Sequence, residues 1–246
     1  MGIFQYFYAL TINVVAMNNF LEEYLKQKHE DTLIEERKPG PVVTISRAFG
    51  CEGNYIARNL AEKLNVFYRG FDQEDDWEII NKEIIEESAR ELQTKKEKVE
   101  YIFAFEKRTS LDDFFMSLTS RQYQSEWKVR EAVKNVVRAF AHRGKSIIVG
   151  RAGAQICHDL KDSLHIKLIA SFAWRVNHIK EKYSLSQKEA NRRVKEVDAN
   201  RQKLHEMFSK TGDCEKCYDV VFNLERLSGE MIISDIIHLM QLKKLI

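Results

Sequence analysis

PVVTISRAFGCEGNYIARNLA, running from Pro41 to Ala61, is the stretch on which the fold turns. VVTIS (42–46) is a continuous, β-branched apolar run, the pattern of a parallel strand buried on both faces. A turn bearing Gly50 and Gly53 follows it. From Tyr55 onward Ile56, Leu60 and Leu64 recur every four residues, which predicts a helix to about Leu64. In the order strand, glycine turn, helix, backbone N–H groups and a helix N-terminus are placed to hold a phosphate. The phosphate-loop pattern G-x-x-x-x-G-K-[ST] puts a lysine and a hydroxyl here. This chain has neither.

Outward from that stretch, strands and helices alternate. MNNFLEEYLKQ opens a helix over 17–29, and the charged run 30–40 ends in the turn Pro39-Gly40. VFY (66–68) reads as a short second strand, RGFDQEDD (69–76) as an acidic loop and Trp77 to Leu92 as a helix. TKKEKVEY reads as a solvated helix face, and the Phe-rich segment 101–120 as core or a helical flap. Residues 121–142 form a long helix. SIIVG (146–150), HIKLIAS (165–171) and YDVVFNL (218–224) are further strands, with helices over 172–182, 186–208 and 228–245. RAGAQICHDL is a small-residue turn into helix. The alternation predicts an α/β fold, a parallel sheet flanked by helices on both faces.

The bulk composition narrows the function classes. The 246 residues are 44% hydrophobic and 31% charged, enough for a packed core and against dominant disorder. A net charge of +2 does not favour a nucleic-acid partner. Cys51, Cys157, Cys214 and Cys217 lack the spacing of a secreted disulfide scaffold, so a reducing, cytoplasmic setting is expected. MGIFQYFYALTINVVA at the N-terminus has no basic leading region and falls short of the ~20 apolar residues that span a bilayer. It reads as an extra helix or strand, with a signal peptide or anchor as the alternative. No membrane partner is expected, and an oligomer contact through this apolar segment is left open.

Ligands of open α/β sheets bind at the carboxyl ends of strands, and three places carry suitable chemistry. Ser46-Arg47 leads into Gly50-Cys51-Glu52-Gly53-Asn54-Tyr55, where glycines admit a phosphate and Arg47 offers a charged fork. The alternative is a tight strand–helix connection. Gly150-Arg151-Ala152-Gly153 places an arginine just past a buried strand, suited to a phosphate or carboxylate, or else to a structural salt bridge. In KEANRRVKEVDANRQK, Asp198 and Arg201 share a helix face, with Arg192 and Arg193 nearly two turns earlier. That helix either closes over a polyphosphate or is a solvated face with internal ion pairs. Cys214 and Cys217 have metal-ligand spacing, but a structural zinc needs four ligands and no second pair exists. No metal site is assigned; free thiols are expected there. Cys51 stands near a helix N-terminus, which would lower its pKa, but no base partner is evident.

VTISRAFGCEGNYIARNLAEKLN, SIIVGRAGAQI, the helix ending VDANRQK, and YDVVFNLERLS, in that order, resemble the cytidylate kinase-like proteins, a branch of the P-loop nucleoside monophosphate kinases. The resemblance covers roughly residues 41–246 and leaves 1–40 as an extension. It implies a P-loop kinase-like parallel sheet, a helical insertion at about 70–140 and a lid near 183–212. It implies transfer of a phosphoryl group from ATP, with Mg²⁺, to a nucleoside monophosphate, CMP by family name, or nucleotide binding without turnover. Ser46, Arg47 and Gly50 to Tyr55 would cradle the donor phosphates. Arg151 would meet the acceptor phosphate, Arg201 with Asp198 would be the lid cation, and Arg175 and Arg193 would assist in binding. Where monophosphate kinases read G-x-G-K-G-[ST], Gly53 stands at the lysine and Tyr55 at the hydroxyl. The branch itself usually reads G-S-G-G-R; here Glu52 replaces a glycine and Asn54 the arginine. A bare Glu52 at ~4 Å from a phosphate charge would cost about 4 kcal/mol at an effective dielectric near 20.

Overall fold

The computed structural model describes residues 40–67, 76–81, 85, 123–208 and 215–246. The chain divides into two compact units, one of Met1–Pro39 with Lys82–His142 and one of Gly40–Asn81 with Arg143–Ile246. The second carries the sheet.

β1 (Val42–Arg47) leads into α1 (Gly53–Phe67), and β2 (Glu78–Ile80) follows. α2 (Tyr123–Arg143) precedes β3 (Ser146–Val149), the short α3 (Gly153–Cys157) and β4 (Ser163–Ile169). α4 (Phe172–Tyr183) and α5 (Gln187–Phe208) form a hairpin, and β5 (Val220–Asn223) and α6 (Gly229–Leu242) close the chain. The strand order is β2-β3-β1-β4-β5, and every pairing is parallel. β1 is central, with Val42 opposite both Ser146 and Ser163. The predicted parallel α/β sheet with flanking helices is therefore the observed one.

Two faces of β1 do different work, because alternate residues point to opposite sides. Val43 and Ile45 join Ile147, Val149, Ile166 and Leu168 in a dry core under α1 and α6. Ile56, Leu60 and Leu64 supply the stripe of α1, and Ile232, Ile236 and Met240 that of α6. The opposite face carries buried polar groups. Thr44 Oγ1 meets His165 Nδ1 at 2.8 Å, and Ser163 Oγ meets Nε2 at 3.0 Å. Burial holds the His165 pKa below its usual value, so the ring is a neutral bridge between hydroxyls.

Two expected elements are corrected. Val66 and Phe67 do not form a strand; they are the exposed last residues of α1. Residues 78–80 of the expected helix from Trp77 to Leu92 are instead the edge strand β2. The side chain of Asn65 explains the switch. Its Oδ1 accepts the Trp77 N–H at 2.7 Å and its Nδ2 donates to the Trp77 carbonyl at 3.1 Å. That reciprocal clamp sets the backbone extended, and Glu78 N–H then donates to the Lys145 carbonyl. The expected helix over 17–29 and the Phe-rich segment lie outside the described residues. Among the described residues, no helix is long and apolar enough to cross a membrane.

Candidate phosphate-binding site

The turn between β1 and α1 is shaped by backbone conformations that favour glycine. Gly50 has φ +95° and Glu52 φ +31°, the left-handed region that is strained for a residue with a Cβ. Across from it, Gly150, Arg151 and Ala152 have φ values of 80°, 54° and 54°, so the chain leaves β3 in a left-handed turn. Both turns lie at the carboxyl edge of the sheet.

Phe49, at the tip of the first turn, is gripped by the α4–α5 hairpin. Its N–H donates to Asp198 Oδ1 at 2.8 Å, and its carbonyl accepts from Arg175 Nη1 at 3.1 Å. Its ring packs with Val176, Ile179, Ala190 and Val194, and the Arg201 guanidinium lies 5.5 Å from the ring centroid. Val194, Asp198 and Arg201 fall at i, i+4 and i+7, one face of α5. The hairpin is well built for the task. Ser171 caps α4, accepting the Trp174 N–H, and Ser184 closes it in a left-handed conformation. Ser186 and Glu189 then form a reciprocal capping box that starts α5.

Asp198 makes its salt bridge to Arg175, at 2.5 Å. Arg175 is buried and also donates from Nε to the Ala170 carbonyl. Its Nε and Nη1 donors are thus engaged by protein groups. Arg201 donates to the Arg47 carbonyl at 2.9 Å. Arg193, exposed on another face, stacks on Tyr183 at 5.0 Å.

Glu52 is not a bare charge beside the cradle. Its Oε1 binds Lys182 Nζ at 2.5 Å and faces His178 Nε2 at 3.2 Å, both on α4. Burial alone would raise its pKa; the Lys182 and His178 contacts outweigh burial and hold it below the usual carboxylate value. The repulsion expected of an isolated Glu52 therefore does not describe this loop. Cys51 is corrected too. It lies wholly buried in the core, and burial pushes its thiol up to about 11 against the opposing pull of Arg175. Ser46 is buried in the sheet, Asn54 is exposed, and Tyr55 is half-exposed with its ring against Gly229.

Arg47 crosses the site. An ideal Cβ on Gly53 would stand 3.1 Å from Arg47 Cδ, and one on Gly150 would stand 2.0 Å from Arg47 Nη1. The side chain therefore runs over Gly53 and ends against Gly150. Further cations gather near it. His205 Nδ1 lies 3.2 Å from the Tyr218 hydroxyl, and Lys167 Nζ lies 5.2 Å from the Tyr218 ring centroid. Burial, then the charges of Lys167, Arg47 and Arg201, push the His205 pKa down to about 4. Arg47, Lys167 and Arg201 together make a place of positive potential, suited to an anion. Lys167 and His205 were not among the sequence candidates; the signal was a lone lysine inside the apolar strand HIKLIAS.

Among the described residues, the carboxylates at the loop do not form a ligand set for Mg²⁺. Glu52 and Asp198, the two carboxylates at the loop, each hold a cation. Among the described residues no group of three or more His, Cys, Asp or Glu side chains is placed to hold a metal ion. Cys217 is half-buried and not in a disulfide, and Cys214 lies outside the described residues.

Comparison with known proteins gives these features a family. The model of the cytidylate kinase-like family matches residues 42–226. No curated protein matches the sequence. Among solved structures, an uncharacterized protein from Eubacterium ventriosum is similar at 21% identity and a TM-score of 0.56, covering 82% of this chain and 98% of that one. Shikimate kinase from Bacteroides thetaiotaomicron is similar at 10% identity and a TM-score of 0.45, covering 82% and 98%. The Eubacterium ventriosum protein shares the fold. The chain belongs to the cytidylate kinase-like family.

Proposed function

We propose that this member of the cytidylate kinase-like family binds a nucleoside triphosphate at the β1–α1 turn and transfers its terminal phosphoryl group to a nucleoside monophosphate, CMP being the acceptor that the family name suggests. The observation that carries the proposal is the set of cations at the carboxyl edge of the sheet: Arg47 lying over Gly53 and Gly150, Arg201 on the Arg47 carbonyl, and Lys167 over the Tyr218 ring. In phosphoryl transfer the protein mainly positions the groups and stabilises charge on the transferred phosphoryl. Here the backbone of Gly50 to Asn54 cradles the donor phosphates. Arg201, fixed on Phe49 and on the Arg47 carbonyl, faces the transferring group. Arg151, buried in the turn after β3, meets the acceptor phosphate. An acceptor phosphate oxygen forms the new P–O bond as the bond to the ADP leaving oxygen breaks. Asp198 and Arg175 hold the hairpin on Phe49 rather than touching substrate. Arg193 serves at the hairpin's outer edge.

On this proposal residues about 70–140 are the acceptor-binding insertion and 183–212 the lid of a cytoplasmic enzyme. Nucleotide binding without turnover is the second reading, and Tyr55 favours it. At the position where kinases carry a small hydroxyl, its ring rests on Gly229, where an ideal Cβ would lie 2.9 Å from Cε1.

Purified protein incubated with ATP, Mg²⁺ and each nucleoside monophosphate, with products separated by ion exchange, distinguishes them. Formation of ADP and CDP in equal amounts is expected. ATP binding without any diphosphate product supports the second reading, and absence of both overturns the nucleotide proposal.

A further inference from the structure

We infer that Arg47 has replaced the missing loop lysine, its side chain filling the space that a residue-53 side chain would enter and supplying the cation for the donor's polyphosphate. The inference rests on the nucleotide proposal and adds a mechanism to it. Gly53 is aligned with the lysine of phosphate loops. An ideal Cβ there would stand 3.1, 3.3 and 3.5 Å from Cδ, Cγ and Nε of Arg47. A side chain at 53 and the Arg47 stem therefore compete for one volume. The far end of Arg47 makes the same demand on Gly150. An ideal Cβ there would stand 2.0 Å from Nη1 and 3.0 Å from Cζ, closer than atoms approach. Two glycines from separate turns thus leave the room that this one side chain occupies.

The backbone under Arg47 is fixed as well. It is the last residue of β1, its Cα paired with Leu168, and its carbonyl takes the Arg201 hydrogen bond. An arginine is charged at every working pH, and its planar fork suits two phosphate oxygens where a lysine offers a point charge. The cation has moved from the start of α1 to the end of β1 while remaining over the same turn. A second cation beside the turn, Lys182 of α4, is paired with Glu52, so the glutamate is balanced without drawing on Arg47.

The test uses calorimetric titration of ATP, ADP and adenosine into the full chain, with Mg²⁺ throughout. Wild type should bind ATP. Arg47→Ala should weaken ATP by at least about tenfold, the loss of one charged hydrogen-bonded contact, ADP by less, and adenosine not at all. Arg47→Lys should fall between, keeping charge without the fork. The double variant Arg47→Ala/Gly53→Lys should regain most of the ATP affinity, since the vacated space accepts the lysine. Gly53→Lys alone should weaken ATP, because the new side chain crowds Arg47 out of its place. ATP affinity unchanged in Arg47→Ala, equal losses for ATP and adenosine, or no recovery in the double variant would overturn the assignment alone. A wild type that binds no ATP would overturn the nucleotide proposal together with it.

Discussion

Replacing Asp198 with alanine tests the grip of the α4–α5 hairpin on the turn. Two things are lost at once. Arg175, only 9% exposed, loses its counter-charge, and the Phe49 N–H loses its acceptor. Breaking a buried ion pair by removing one partner costs about 3–5 kcal/mol. The carboxylate is 30% exposed, so solvent screening brings the pair to about 2 kcal/mol. The orphaned N–H adds about 1 kcal/mol. At ~2–4 °C per kcal/mol for a chain of this size, the expected total of about 3 kcal/mol lowers the melting temperature by about 6–12 °C. Asp198→Asn keeps an acceptor for Phe49 and should lose about half as much. In the double variant Arg175→Ala/Asp198→Ala the buried cation is gone, so the two effects should sum to clearly less than additive. Thermal denaturation followed by circular dichroism reads wild type, both Asp198 variants, the single variant Arg175→Ala and the double variant. A fall under about 2 °C in Asp198→Ala, or strict additivity in the double variant, would mean that Asp198 does not hold Arg175 and Phe49 as described.

Other consequences follow from the charges. The His205 pKa falls on folding from its ordinary ~6.5 to about 4, so the unfolded chain binds more protons in that interval. Stability should therefore decline as pH drops from about 6.5 to about 4, with buried His165 acting in the same direction, and His205→Gln should flatten the decline by as much as ~3 kcal/mol. Glu52, whose pKa is lowered, acts from the acid end of that window downward. Its stabilisation is present above the ordinary carboxylate pKa and is lost as pH falls through its lower folded value, so wild type and Glu52→Gln should converge in acid. Glu52→Gly exchanges exposed ion pairs for relief of a positive φ and should change stability by under about 1 kcal/mol. Iodoacetamide at pH 8 should leave Cys51 unmodified in the native protein, its thiol held near 11 by burial, while half-buried Cys217 reacts; peptide mass spectrometry reads both.

The sheet was legible wherever burial on both faces left an unbroken β-branched run, as in VVTIS and SIIV. β2 was not, because Trp77-Glu78-Ile79-Ile80 carries no period that separates strand from helix. It becomes a strand through the Asn65 clamp and its pairing with Ser146–Ile148, neither of which is local. At the site, the helix face bearing Asp198 and Arg201 could be read from spacing, whereas the partners could not. Phe49 lies 149 residues from Asp198. The sign of Glu52's charge was equally plain, but its balance depends on Lys182, 130 residues away. Arg47 was visible as a cation; that two glycines make its berth required the backbone of both turns.

A polyphosphate held by the β1–α1 turn would shift the amide resonances of that turn. On titration of ATP into ¹⁵N-labelled protein, the backbone amides of Gly50, Cys51, Gly53 and Asn54 should move together with the Arg47 side-chain signal, and adenosine should leave them in place. ATP that binds while those amides stay unmoved would contradict the account.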